Sequence, residues 1–238
     1  MDRFYVTSLP DSGRVELSGP EAHHLRDVRR LRKGSQIILF DGTGAECVAR
    51  LEKARRELVV LHVMEKRTVS RELNCRITLA VAPPKGDKMD TIVRKCAELG
   101  ALRIVPTISE FTVLKPGEHR LERWRRIAIE ASKQSGRNVV TQVEEPVPFN
   151  EVLPLAQRHA IAIMPDLSDD ATPIRRVLED AEARDSALCL IGPEGGFSQS
   201  ERALAEEAGF VRVRLVPSIL TTEAAAVAAA SMLAYALR

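Results

Sequence analysis

The chain has 238 residues, of which 45% are hydrophobic and 29% charged, as is typical of a globular protein. No apolar run reaches about 18 residues and the N-terminus lacks a long apolar segment, so we expect neither a membrane span nor a signal peptide. The four cysteines are scattered and form no C-x-x-C pair, which disfavours a disulfide framework or a zinc site. We therefore expect a cytoplasmic protein without a bound metal.

Charge is distributed unevenly along the chain. Residues 1–140 contain 27 lysines and arginines against 18 acidic residues, whereas residues 141–238 contain 8 against 15. Basic clusters at 26–33, 53–56 and 120–126 favour a polyanionic partner such as nucleic acid, although solvated surface charge is the alternative explanation. Aromatic residues make up only 4%, which argues against a broad platform for base stacking.

The first 70 or so residues have the pattern of strands and turns. Asp41-Gly42-Thr43-Gly44 is a hairpin signal, because glycine accepts the positive φ of tight turns. A short helix is predicted over Gly19–Leu31, with Pro20 in its first turn. The predicted strands are Arg14–Leu17, Gln36–Phe40, Cys47–Leu51 and Glu57–Val63. This pattern predicts a small β-barrel or sandwich.

From about Asn74 strands alternate with helices, which predicts an α/β domain around a mostly parallel sheet. We place the domains at 1–72 and 73–238. The predicted strands are Arg76–Val81, Arg103–Pro106, Ala160–Met164, Ala187–Ile191 and Val211–Leu215. The predicted helices are Asp87–Leu99, Leu121–Ser135, Ile174–Ala183, Ser198–Ala208 and Glu223–Leu237.

Two loops after predicted strands are candidate ligand sites, since ligands of parallel sheets bind at the carboxyl ends of strands. The first, 191–197, contains three glycines and a proline, although an ordinary turn is the alternative. The second, 215–225, leads into the last helix, with Thr222 as predicted N-cap and Glu223 in the first turn. Motifs of the ordinary Rossmann fold, the P-loop, the hydrolase nucleophile elbow and the H-E-x-x-H metalloproteases are absent from the sequence.

Several ordered motifs resemble one known family. They are Lys85-Gly86-Asp87-Lys88-Met89-Asp90, Lys95-Cys96-Ala97-Glu98-Leu99-Gly100, Glu130-Ala131-Ser132-Lys133-Gln134-Ser135-Gly136-Arg137, Ile191-Gly192-Pro193-Glu194-Gly195-Gly196 and Ile219-Leu220-x-Thr222-Glu223. In this order they resemble the ribosomal RNA small subunit methyltransferase E family of the SPOUT superfamily. Arg3-Phe4-Tyr5, His24-Leu25-x-x-Val28-Arg29 and Phe40-Asp41-Gly42 resemble the RNA-binding PUA-like barrel of the same family.

The resemblance implies S-adenosylmethionine-dependent methylation of N3 of one uridine in the 16S RNA of the small ribosomal subunit. It also implies a homodimer and a parallel SPOUT-type sheet with a C-terminal trefoil knot, preceded by a PUA-like β-barrel. Two alternatives remain open: a SPOUT enzyme that methylates a ribose 2′-hydroxyl or another base, and an RNA-binding relative without catalysis.

The resemblance also assigns site residues. The implied cofactor-binding residues are Met164, Ile191, Gly192, Pro193, Gly195, Gly196, Leu215, Pro217, Ile219, Leu220, Thr222 and Ala224. From the chemistry of the reaction, Glu223 is the candidate base or orienting carboxylate, although compensation of the helix dipole is an equally good explanation of it. Arg137 and Arg3 are candidates to orient the uracil or its phosphates. The candidate RNA contacts are Arg3, His24, Arg29 and Arg30.

The chain departs from the family pattern at four positions. Phe111 replaces the arginine that usually follows Ser-Glu in the family. In the last loop, Val216, Ser218 and Thr221 stand where the family usually has glycine, arginine and arginine.

Overall fold

The computed structural model describes residues 1–55, 58–179 and 184–237, and its α-carbon contacts divide the chain into two compact units. Unit 1 comprises residues 1–72 together with 132–140, and unit 2 comprises 73–131 together with 141–238. The grouping of residues 132–140 with the N-terminal region was not predicted. None of the helices in the described ranges has the length and apolar character of a membrane-spanning segment.

Unit 1 is built on a five-stranded sheet in the order β1-β3-β4-β5-β2. The strands are β1 (Arg3–Tyr5), β2 (Gly13–Leu17), β3 (Gln36–Phe40), β4 (Ala45–Ala54) and β5 (Val59–Thr68). All neighbours pair antiparallel except β1 and β3. Two register shifts in β4 mark β-bulges, which bend a strand and increase its twist. The four predicted strands of this region are confirmed within the described residues; Glu57, the predicted start of the last, lies outside them.

The core of unit 1 contains the apolar side chains that alternate along these strands. Its members include Phe4, Leu25, Ile37, Leu39 and Leu61, all buried. The predicted helix over Gly19–Leu31 is wrong in extent. Helix α1 (Gly19–His23) passes into a π-helical turn at His24–Val28, and Arg30 then takes a positive φ of 52°, which ends the helical path.

Unit 2 contains an entirely parallel sheet in the order β11-β13-β10-β12-β6-β7-β8, with β9 also paired to β7. The strands are β6 (Arg76–Val81), β7 (Arg103–Ile108), β8 (Gln142–Val143), β9 (Val147–Pro148), β10 (Ile161–Pro165), β11 (Thr172–Pro173), β12 (Ser186–Ile191) and β13 (Val211–Arg214). The five strands predicted here are confirmed to within two residues. The two-residue strands β8, β9 and β11 were not predicted, because so short a pairing leaves no periodic pattern.

The helices of unit 2 follow the predicted alternation. They are α2 (Lys88–Glu98), α3 (Glu118–Ser135), α4 (Phe149–Val152), α5 (Ile174–Leu178), α6 (Gln199–Glu207) and α7 (Thr222–Ala236), with a 3₁₀ turn at Leu153–Arg158. The helix predicted over Ile174–Ala183 is observed as α5, which ends at Leu178; residues 180–183 lie outside the described part of the chain. Helix α4 was not predicted. Helix α3 carries the buried Trp124, whose indole N–H donates to Asp90 of α2 at 3.1 Å.

The order of the strands determines where a ligand can bind. Strand β10 lies between β12 and β13 in the sheet, although β11 separates it from both of them along the chain. Their carboxyl ends therefore meet at one edge of the sheet, which is where α/β proteins place ligand sites. Helix α7 packs against α2, β6 and β12 and brings the start of its first turn to the same edge.

Candidate functional site

A cavity of about 540 Å³ opens at the carboxyl ends of β10, β12 and β13. Three segments form most of its wall: 164–167, 191–197 and 215–222. Lys88, Arg202 and Ala225 complete the wall from the starts or middles of three helices. A cavity of this size, with apolar walls and a few polar groups, is typical of a small-molecule site.

The glycine-rich loop after β12 is closed by a hydrogen bond from the N–H of Gly196 to the carbonyl of Pro193, at 2.9 Å. Gly196 has a φ of +70°, which a residue with a side chain rarely adopts. A Cβ on Gly192 would lie 3.2 Å from the ring of Phe197 and 3.3 Å from the backbone of Gly196. The loop therefore needs glycine at these two positions to fold tightly against itself.

The start of α7 is tied to this loop. The hydroxyl of Thr222 donates to the carbonyl of Gly192 at 3.3 Å, so the two loops that face the cavity are bonded to each other. The predicted N-cap at Thr222 is wrong: Thr221 is the cap, and its side chain accepts from the N–H of Ala224. Because Thr221 satisfies the helix end, the hydroxyl of Thr222 is available for the glycine loop.

Three charged side chains from separate segments meet near the cavity mouth. The Nζ of Lys88 lies 3.5 Å from Oε1 of Glu194 and 3.9 Å from Oε2 of Glu223. Burial tends to raise the pKa of Glu194, but backbone N–H groups, including that of Lys85, and the Lys88 ammonium hold it below its usual value. The Oε2 of Glu223 is buried and, among the described residues, accepts no hydrogen bond. Glu223 is therefore a carboxylate with unused accepting capacity.

The opposite wall is anchored by a second set of charges. Burial tends to raise the pKa of Asp166, but hydrogen bonds from Ser168 and the backbone, together with the charge of Arg202, lower it overall. Arg212 on β13 donates hydrogen bonds to the carboxylates of Asp170 and Glu206 and to the hydroxyl of Ser168. These contacts hold the loop after β10 in place against β13.

Ten of the twelve predicted cofactor residues line the cavity, and Pro217 and Ala224 do not. Glu223 does not line it either, but it contacts Lys88, which does. Sequence reasoning missed Lys88, Asp166, Leu167 and Arg202. Lys88 lies in the Lys85–Asp90 motif, and Asp166 and Leu167 directly follow the end of β10. Position relative to the sheet was therefore the sequence signal that could have identified Asp166 and Leu167.

Phe111, one of the departures from the family pattern, contacts the glycine loop. A Cβ on Gly195 would lie 3.4 Å from the Cβ of Phe111. The Phe111 side chain remains 45% exposed. Its loop is held by Glu201, which accepts from the N–H of Glu110 at 2.8 Å, and by a bond between the hydroxyls of Ser109 and Thr112.

The structure gives Arg137 and Arg3 surroundings that differ from the predicted ones. Arg137 belongs to unit 1, is 3% exposed, and donates from Nε to Glu72 at 2.8 Å. Arg3 donates to Glu46 at 2.9 Å and to Asn138, and its side chain is also almost fully buried. Since buried, paired guanidinium groups are not presented to a nucleic acid, this placement favours a structural role over the predicted ones.

The other predicted RNA contacts lie on the surface of unit 1. Arg29 and Arg30 are exposed, and Arg29 forms an ion pair with Asp2. His24 is half-buried, with its ring edge-on to Phe4 at 5.8 Å between centroids. Arg29 and Arg30 are thus placed to meet a phosphate, while His24 contributes to packing.

Comparison with known proteins gives the chain its family. A family model described as an RNA methyltransferase domain matches residues 71–234, and one described as an RNA methyltransferase PUA domain matches 17–64. The ribosomal RNA small subunit methyltransferase E of Synechocystis is 34% identical over 87% of this chain and 68% of its own length. The chain belongs to the ribosomal RNA small subunit methyltransferase E family.

Other members of the family match the chain from end to end. The Bacillus subtilis enzyme of the same name is 29% identical over 99% of this chain and 96% of its own. The Neisseria gonorrhoeae structure of that name, bound to S-adenosyl methionine, is 32% identical, covers 100% of this chain and 98% of its own, and has a TM-score of 0.91. A Legionella pneumophila methyltransferase in complex with the same cofactor is 30% identical over 98% of this chain and 97% of its own, with a TM-score of 0.90.

Proposed function

We propose that this chain transfers a methyl group from S-adenosylmethionine to N3 of one uridine in the 16S RNA of the small ribosomal subunit. The observation that carries the proposal is the cavity at the ends of β10, β12 and β13, closed by the glycine loop and the start of α7. The family to which the chain belongs supports both the donor and the class of RNA.

The cavity fits the proposed cofactor. Met164, Ile191 and Leu220 offer apolar surface to an adenine ring, and the tight glycine loop brings backbone N–H and C=O groups close to a ligand. Asp166 and Glu194 are acidic groups suited to hydroxyl or ammonium groups of the ligand. When bound, the cofactor supplies a methyl group on a positively charged sulfur.

The chemistry also needs a proton acceptor, because uracil N3 carries a hydrogen that must leave before nitrogen can attack carbon. Glu223 is the proposed base, since its Oε2 lacks a hydrogen-bond donor within the described residues. In-line alignment of the nitrogen, the methyl carbon and the sulfur would supply much of the remaining acceleration. N3 lies on the pairing edge, so the target uridine must be unpaired or turned out of its helix.

RNA would be held in part by unit 1, whose exposed Arg29 and Arg30 are proposed phosphate contacts.

We further propose the C-terminal trefoil knot and the homodimer that the family resemblance implies. The position of β13 between β10 and β11, with α7 returning to β6 and β12, supports the first. The exposure of Ile219 and Tyr235 next to and within α7 supports an apolar contact between two copies. We place the protein in the cytoplasm, where the proposed substrate is assembled.

The proposal is tested by methyl transfer from labelled S-adenosylmethionine to purified small subunits and to naked 16S RNA, followed by nucleoside mass analysis. We expect label in 3-methyluridine. Label in a ribose 2′-O-methyl nucleoside or another base would show a different SPOUT target and would direct attention to Phe111, Ser218 and Thr221, where the chain departs from the family pattern. RNA binding without cofactor binding or label would show a relative that has lost catalysis.

A further inference from the structure

We propose that Lys88 and Glu223 act as a pair that reads the N3–H and an adjacent carbonyl of uracil, with Lys88 as a catalytic cation. The inference rests on the proposed function and adds to it the residue that stabilises the negative charge and the reason that the site selects uracil.

The geometry places an acceptor beside a donor. The Nζ of Lys88 lies 3.9 Å from Oε2 of Glu223, an oxygen that accepts no hydrogen bond within the described ranges. Oε1 of Glu194 lies 3.5 Å from the same ammonium, and both Lys88 and Glu194 line the cavity. Lys88 is the first residue of α2, so its backbone is fixed while its side chain remains about 41% exposed.

Lys88 is the cation best placed for this task. Within the described part of the chain, the cavity is lined by two basic residues, Lys88 and Arg202. Arg202 acts on Asp166, at the wall formed by the loop after β10. The loop that leads into α7, residues 215–221, contains neither lysine nor arginine, so it contributes no positive charge. The positive charge next to Glu223 therefore comes from α2.

The pair matches uracil and mismatches cytosine. Uracil presents a donor, N3–H, between two carbonyl acceptors, which complements a carboxylate beside an ammonium. Cytosine presents an acceptor at N3, so the Glu223 carboxylate would face another acceptor, and an ammonium directed at the 4-position would face the amino donor. Sites built to hydrogen-bond one pattern reject the other strongly, because polar groups are left unpaired.

Glu223 and Lys88 have separate roles in the proposed methyl transfer. The N3 proton passes to the Glu223 carboxylate, and the negative charge left on the ring spreads over N3, O2 and O4. Lys88 donates a hydrogen bond to one of these carbonyl oxygens and stabilises that charge. The N3 electron pair then forms the bond to the methyl carbon, while the pair of the breaking carbon–sulfur bond stays on sulfur and neutralises it.

The test compares Lys88→Met and Lys88→Arg with Lys95→Met as control. Lys95 lies on the same helix, is paired with Glu98, and does not line the cavity. For Lys88→Met we expect kcat to fall about a hundredfold, as when a donor to a developing oxyanion is removed. The cofactor Kd from calorimetry should stay within about twofold, and Lys88→Arg should restore at least a tenth of the wild-type rate.

Two further readouts separate catalysis from folding. The rate of Lys88→Met should keep rising at alkaline pH where the wild type has levelled off, because without the cation the N3 proton leaves less readily. Small subunits whose target uridine is replaced by cytidine should bind but not be methylated. An unchanged kcat in Lys88→Met, or a loss confined to cofactor affinity, would overturn the inference. Failure of the wild type to form 3-methyluridine would instead overturn the proposed function.

Discussion

Glu46 in unit 1 and Glu223 in unit 2 differ in how many hydrogen-bond donors surround their carboxylates. In unit 1, Glu46 is fully buried and is bonded by three guanidinium groups, those of Arg3, Arg67 and Arg71, at 2.8 to 3.1 Å. In unit 2, Glu223 has a buried oxygen with no hydrogen-bond donor among the described residues and one ammonium 3.9 Å away. One carboxylate is saturated and the other is not.

The difference separates a charge that stabilises a fold from one that is kept for a ligand. A buried carboxylate with every lone pair engaged rigidifies its surroundings, whereas one left partly unpaired lowers stability and persists where function requires it. On this basis the arginine-rich cluster around Glu46 belongs to the architecture of unit 1. The Lys88, Glu194 and Glu223 group belongs to the chemistry of unit 2.

The largest expected effect is that of Glu46→Gln. The substitution leaves the buried Arg3, the half-buried Arg67 and the exposed Arg71 with one neutral partner, which should reduce the stability of unit 1 by about 3 kcal/mol or more. Hydrogen exchange of β4 and β5 in the native protein measures the loss.

Glu52→Gln is the matched control for this substitution. Glu52 lies on the same strand but pairs with the exposed Arg14, so the loss should be under about 1 kcal/mol. Equal losses in the two variants would show that the cluster around Glu46 is no more than ordinary surface pairing.

Acid should act on unit 1 through the same carboxylate. Burial tends to raise the pKa of Glu46, but hydrogen bonds from Arg3, Arg71 and Arg67 lower it from 4.5 to about 2. Because the folded-state pKa is depressed, the stabilisation is complete above pH ~4.5 and is lost as the pH falls towards ~2, amounting to about 3 kcal/mol. Hydrogen exchange of β4 from pH 6 to pH 3 should show the larger part of this loss in the wild type, and a much flatter profile in Glu46→Gln.

A smaller effect is expected at the start of α7. Thr221→Ala removes the side chain that caps this helix and should reduce stability by about 1 kcal/mol, whereas Thr221→Ser keeps the cap and should change it by only a few tenths. Urea unfolding followed by the fluorescence of Trp124, which is in unit 2, measures both. If Thr221→Ala leaves the free energy of unfolding unchanged, Thr222 would be the better candidate for the N-cap, as the sequence alone had indicated.

The sequence predicted the long elements because their apolar residues are periodic. Most residues of β6 and β12 are apolar and buried. The Ser198–Glu201 capping box marks the start of α6 and is present in the structure. The sequence did not reveal the grouping of residues 132–140 with unit 1, since that depends on contacts over more than 60 positions, such as Glu72 with Arg137.

The site was predictable where it coincides with strand ends and glycines, and less so where it depends on single side chains. Gly192, Gly196 and Leu220 follow from loop position and family motif. The role predicted for Arg137 stays a prediction, because a motif shows that a residue is part of the pattern but not that it is buried against Glu72, as it is in the structure. Lys88 was overlooked for the converse reason: nothing local distinguishes it from Lys85 until α2 is placed beside α7.

The smallest change in stability is expected for Glu223→Gln, and it tests the comparison most directly. The substitution removes a negative charge whose buried oxygen has no donor among the described residues, while Lys88 keeps Glu194 as a partner. The unfolding free energy should therefore change by less than about 1 kcal/mol. The variant should be more stable than the wild type if the unpaired carboxylate destabilises the folded protein. Turnover should fall at least a hundredfold, since an amide cannot accept the N3 proton. A loss of stability as large as that of Glu46→Gln would show that Glu223, like Glu46, stabilises the fold. The distinction between the two units would then be wrong.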